Sequence, residues 1–115
     1  MTSRISTVHL DANDAAATAA FWQQLLDWVL TVEDGLYSLT ARDGKGLDLD
    51  IMAVPEGKTV KNRLHLDLVA DGCTQEEEVR RLIGLRARKV DVGQDSSVTW
   101  VVMADPEGNE FRVLG

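Results

Sequence analysis

One phrase occurs twice in this chain, and the repetition restricts what the chain can fold into. Val8-His9-Leu10-Asp11 stands near the N-terminus and Leu64-His65-Leu66-Asp67 opens the second half. In both, apolar side chains alternate with polar ones, the period of a strand with one face on a core. A short polar link and a helical stretch follow each copy, and three further extended runs follow each helix.

In the first half, Ile5 to Asp11 reads as a strand. Asn13 or Asp14 can cap a helix by accepting hydrogen bonds from its free first-turn amides, and Ala15 to Ala20 has high helix propensity. Phe21, Leu25 and Trp28 fall at i, i+4 and i+7, with Trp22 and Leu26 widening one apolar stripe. Asp34-Gly35 joins Val29–Glu33 to Leu36–Arg42 as a hairpin. Leu47, Leu49 and Ile51 alternate with Asp48, Asp50 and Met52 in a last strand, which Pro55 ends.

The second half has the same order. Thr74 and Glu77 form a capping box, and Val79, Leu82 and Ile83 are the expected buried face of the helix. Lys89–Val92 reads as a short strand and Val98–Ala104 as a strand apolar on both faces, hence covered on both. A tight turn, Asp105-Pro106-Glu107-Gly108-Asn109, leads into a final strand from Glu110 to Leu114. The expected fold is α+β: two βαβββ modules, about residues 4–54 and 63–115, joined by a linker over 55–62. Together they make one domain over residues 1–115. One such unit covers a single sheet face with its helix, so the two bare faces are expected to form a shared cleft. His9, Asp48, Asp50, His65, Asp67, Glu110 and Arg112 alternate with the helix-facing residues and are the cleft candidates.

A formal charge of −7 disfavours nucleic acid as a partner, since that affinity comes mainly from neutralising phosphates. The basic run Lys58, Lys61 and Arg63 interrupts this acidity. It reads either as a solvated linker or as an anion-attracting rim beside a binding site. A single cysteine, Cys73, fits a reducing compartment, and there is no long apolar run or signal-peptide core. A cytoplasmic protein without a membrane partner is expected. No nucleophile–base pair, phosphate loop or paired-cysteine zinc motif is present.

Three stretches carry a resemblance: Ala20-Phe21-Trp22 with Leu25-Leu26, Lys61 through Leu68, and Asp105-Pro106-Glu107-Gly108-Asn109-Glu110-Phe111. In these the chain resembles the vicinal oxygen chelate superfamily (glyoxalase, bleomycin resistance protein and dioxygenase), and within it the small bacterial glyoxalase-like domains. The resemblance implies paired βαβββ modules. In metal-dependent members, one ligand comes from the first strand and one carboxylate from the last strand of each module. Carried over, module two supplies His65 and Glu110. In module one the first-strand position falls on Thr7, with His9 on the same strand face as a third candidate ligand. The carboxylate position falls near Asp50 or Met52, and the match favours Met52. Where the resemblance implies a glycine after each helix, this chain has Asp27 and Arg86.

Imidazole and carboxylate together suit one divalent metal, zinc, nickel or iron. A metal there would polarise a substrate oxygen while the Glu110 carboxylate moves a proton as the catalytic group. Without a metal, Glu110 can accept a hydrogen bond from His65 and fix its tautomer. Trp100 and Tyr37, with Arg112, Asp50 and Met52, are the candidates to line a pocket for a small organic molecule, since such sites are mostly apolar with a few placed polar groups. Two functions follow: a metal-free small-molecule-binding protein, or a metal-dependent lyase, isomerase or dioxygenase. A homodimer is expected because two-fold dimers are the commonest oligomers.

Overall fold

In a computed structural model that describes all 115 residues, the chain divides into two units, Met1–Gly57 and Lys58–Gly115. The first contains β1 (Thr7–Ala12), α1 (Ala15–Leu26), β2 (Val29–Glu33), β3 (Leu36–Thr40) and β4 (Asp48–Ala53). The second contains β5 (Asp67–Leu68), α2 (Gln75–Gly84), β6 (Arg88–Lys89), β7 (Val101–Ala104) and β8 (Glu110–Val113). Each unit is βαβββ with one four-stranded sheet, ordered β1-β4-β3-β2 in one and β5-β8-β7-β6 in the other. In both, the first strand pairs in parallel with the last, and the remaining neighbours are antiparallel. The architecture is the α+β pair of βαβββ modules expected from the sequence.

Local chemistry sets the elements of the first unit. Asp14 caps α1 by accepting from the Ala17 amide at 3.0 Å, while Asn13 donates to the Val54 and Glu56 carbonyls and ties down the chain beyond β4. Phe21 and Trp22 pack edge to face, 5.4 Å between centroids, and with Leu25 they form the buried face of α1. They lie over Leu39, Leu49 and Ile51, the buried positions of β3 and β4. The helix stops before Trp28, which is only half-buried. Asp34 and Gly35 both take positive φ, as a two-residue hairpin turn requires.

In the second unit the Thr74 hydroxyl accepts from the Glu77 amide at 3.1 Å, and the Glu77 carboxylate accepts from the Thr74 amide, completing the capping box. Val79 and Leu82 are buried, but Ile83 is 46 % exposed. One residue past Leu82 is 100° further around a helix of 3.6 residues per turn, which carries Ile83 off the narrow buried stripe.

The strand expected from Leu64 is also shorter. Leu66 and Leu68 accept ladder bonds from the Arg112 and Leu114 amides, yet Leu64 is 78 % exposed. The next amide along the ladder, that of Glu110, donates instead to Asn62 Oδ1 at 2.9 Å. A side chain has taken the place of the Leu64 carbonyl, and the chain bends at Arg63–Leu64. Gln94 likewise accepts from the Val92 amide and donates to the Val90 carbonyl, so β6 ends at Lys89.

Candidate functional site

Strand parity sorts the candidate residues before any contact is considered. In the first sheet His9 pairs with Asp50 and Asp11 with Met52 across the parallel ladder, so these four share one face. Tyr37 pairs with Ile51, on the buried helix-facing side. Tyr37, expected with Trp100 to line a pocket, therefore stands on the face opposite Asp50 and Met52, since adjacent strand positions point to opposite faces. His9 is exposed and its Nε2 lies 3.5 Å from Asp11 Oδ1. Asp50 Oδ1 is buried and has no hydrogen-bond partner. Met52 is exposed at the end of β4.

The second unit gathers more. Asp67 pairs with Arg112, and Arg112 with Val102, which puts Trp100, Val102, Glu110 and Arg112 on the face away from Phe111 and Val113. A pocket of about 200 Å³ opens on this face, lined by Lys61, His65, Val92, Gly93, Gln94, Trp100, Val102, Glu110 and Arg112. The structure thus brings His65, Trp100, Glu110 and Arg112 together.

Two residues fix Glu110. Lys58 Nζ lies 2.7 Å from its Oε2, with side-chain exposures of 20 % for the lysine and 7 % for the glutamate. The Asn62 amide donates to both carboxylate oxygens, at 3.3 and 3.4 Å. The Asn62 side chain holds the Glu110 amide, and the Asn62 carbonyl accepts from His65 Nε2 at 3.1 Å. Since a carbonyl only accepts, that contact puts the imidazole proton on Nε2. Burial pushes the Glu110 pKa up, but the hydrogen bonds from Lys58 and Asn62 outweigh it and hold the carboxyl below its ordinary 4.5.

Arg112 is fixed as firmly. Its Nε and Nη2 both lie 2.6 Å from the two Asp67 oxygens, a bidentate fork, and its guanidinium sits 4.9 Å from the Trp100 ring centroid. The Arg112 bond holds the Asp67 carboxyl below its usual range against the opposing effect of burial.

These contacts test the site against a metal. With Nε2 donating to the Asn62 carbonyl, His65 would have only Nδ1 to offer an ion, and the Glu110 charge is already balanced by the Lys58 ammonium. In neither unit do three or more His, Cys, Asp or Glu side chains gather into a set able to hold an ion. The residues present do not fit a bound divalent metal at His65 and Glu110. Sequence reasoning missed Asn62 and Gln94 entirely. It placed Lys58 and Lys61 in a basic run, read either as a solvated linker or as an anion-attracting rim, and did not pair Lys58 with Glu110.

The glyoxalase-like domain model matches residues 7–114, and the chain belongs to that family, within the vicinal oxygen chelate superfamily. Solved structures agree. An enzyme of the glyoxalase/bleomycin resistance protein/dioxygenase family from Burkholderia phytofirmans matches with a TM-score of 0.72 at 22 % identity, over 96 % of this chain and 97 % of that one. A possible glyoxalase from Bacillus cereus gives 0.70 at 18 %, over 99 % and 100 %. The fosfomycin resistance protein FosX from Listeria monocytogenes, in complex with Mn(II) and 1S,2S-dihydroxypropylphosphonic acid, gives 0.73 at 17 %, over 99 % and 90 %. At such identities the likeness is one of fold. No curated protein sequence matches the chain. No helix is long and apolar enough to cross a membrane.

Proposed function

We propose that this protein binds a small organic molecule in the pocket of its second unit and uses no metal at His65 and Glu110 to do so. The supporting observation is the composition of that pocket: an apolar wall of Trp100, Val92 and Val102, with polar groups already held in place. Such preformed, mostly apolar concavities with a few oriented polar groups are the general form of small-molecule sites. Glu110 serves as a fixed, ionised hydrogen-bond acceptor. A carboxyl held below 4.5 is a weak base at neutral pH, which favours binding over proton transfer. His9, Asp50 and Met52, which share the polar face of the first sheet, are proposed separately as the ligand-facing residues of that unit. A cytoplasmic homodimer belongs to the same reading, and light scattering that gave a monomer at high concentration would remove the dimer.

The experiment is a ligand screen read by tryptophan fluorescence, repeated with Trp100→Leu. Binding that changes the emission of the unaltered protein and is lost in the variant supports the reading. Saturable binding untouched by Trp100→Leu places the ligand elsewhere.

The competing reading, a metal-dependent lyase, isomerase or dioxygenase, has FosX with its Mn(II) as its best support. It requires Lys58 to leave Glu110. Nickel, zinc and iron(II) titrated into chelator-treated protein decide the matter. Tight binding that Glu110→Gln and His65→Ala both abolish would favour the metal enzyme.

A further inference from the structure

The charges lining the pocket do not count equally. Glu110 is cancelled by Lys58, and Arg112 by Asp67; neither partner lines the pocket. His65 spends its Nε2 proton on the Asn62 carbonyl. Lys61 makes no ion pair and is the one lining cation without a counter-charge. Beside it stands Trp100, whose ring carries Arg112 near one face, with Val92 and Val102 completing an apolar wall. The volume, about 200 Å³, lies below the range of drug-sized sites and suits one or two rings.

Resting on the reading of this pocket as a ligand site, we propose that its ligand is a flat aromatic monoanion, of the aromatic carboxylate class. Its ring lies against the Trp100 wall and its anionic group pairs with Lys61. A dianion would leave one charge unmatched, and an aromatic cation would face Lys61 directly. Lys58 sets this preference from behind: by cancelling Glu110 it keeps the pocket from repelling an anion.

The probes are 1-naphthoate, 1-naphthamide and 1-naphthylmethylamine. They are titrated at low salt and pH 8, above the range in which free imidazole is protonated. The carboxylate should bind at least about tenfold more tightly than the amide, the scale of one charge-assisted hydrogen bond, and the amine should bind least. Lys61→Met should erase the gap between carboxylate and amide. Lys58→Met should weaken the carboxylate and strengthen the amine by leaving Glu110 uncancelled, and Lys58→Met/Glu110→Gln should restore the original order. Equal or tighter binding of the amide or amine, still lost in Trp100→Leu, overturns the anion assignment and leaves the pocket reading intact. No Trp100-dependent binding of any probe up to millimolar concentration overturns both.

Discussion

Lys58 Nζ meets Glu110 Oε2 at 2.7 Å, and both side chains are largely withdrawn from water. The carboxylate that the superfamily resemblance marks as a metal ligand therefore already has a cation of its own. Breaking such a pair from one side leaves an uncompensated charge, which costs more than the pair itself contributes. Lys58→Met should destabilise the protein by about 2 kcal/mol in urea unfolding, less than for a fully buried pair because the lysine keeps some water. Lys58→Met/Glu110→Gln should recover most of that loss. A double variant no more stable than the single one would show that the pair is not coupled.

The same contact gives a pH dependence. Glu110 has a folded pKa below its ordinary 4.5, so its ionised form binds the folded state better. Its stabilisation is present above pH 4.5 and is lost as pH falls through the depressed folded value. Asp67, held down by Arg112, adds in the same direction. Stability measured between pH 7 and pH 3 should fall less in Lys58→Met/Glu110→Gln than in the unaltered protein. Parallel curves would mean that Glu110 does not contribute.

Arg86 occupies a position that suits glycine. Helix α2 ends with the Arg86 amide donating to the Ile83 carbonyl and the Ala87 amide to that of Leu82, the two bonds of a Schellman motif. That motif needs a left-handed residue, and Arg86 has φ 85°. Arg86→Gly should raise stability by about 0.5–1 kcal/mol, the strain relieved minus the added freedom of the unfolded chain. An unchanged or lower melting temperature would show that the arginine side chain repays its strain.

Asp105 organises the turn before β8. Fully buried, it accepts from the Glu107 and Asn109 amides at 2.9 Å and from the Asn109 side chain at 3.1 Å. Gly108, at φ 90°, closes the loop by donating to the Asp105 carbonyl. Asp105→Ala leaves two amides without acceptors and should cost about 2–3 kcal/mol. Because this turn sets where Glu110 begins its strand, the variant should also shift the Trp100 emission. A loss below about 0.5 kcal/mol would mean that the turn holds without it.

The fold was legible in the sequence because its cues are local. The duplicated His-Leu-Asp phrase, the Thr74–Glu77 box, the Asp34-Gly35 hairpin and the turn at Asp105 each act within a few residues, where side-chain type alone fixes backbone geometry. Local alternation put His65, Glu110 and Arg112 among the cleft candidates and named Trp100 apart from them as a pocket-lining residue. What each of those groups is free to do was settled only by tertiary contacts. Asn62 reaches Glu110 across 48 positions, and Asp67 reaches Arg112 across 45. No periodicity signals that a lysine in an apparent linker will neutralise a carboxylate in the last strand. The face that Tyr37 takes depends on register with β4, and Leu64 falls outside the strand because a side-chain amide supplanted its ladder bond. Sequence pattern determines which residues can share a surface; charge pairing in three dimensions decides which of them remain available to a ligand.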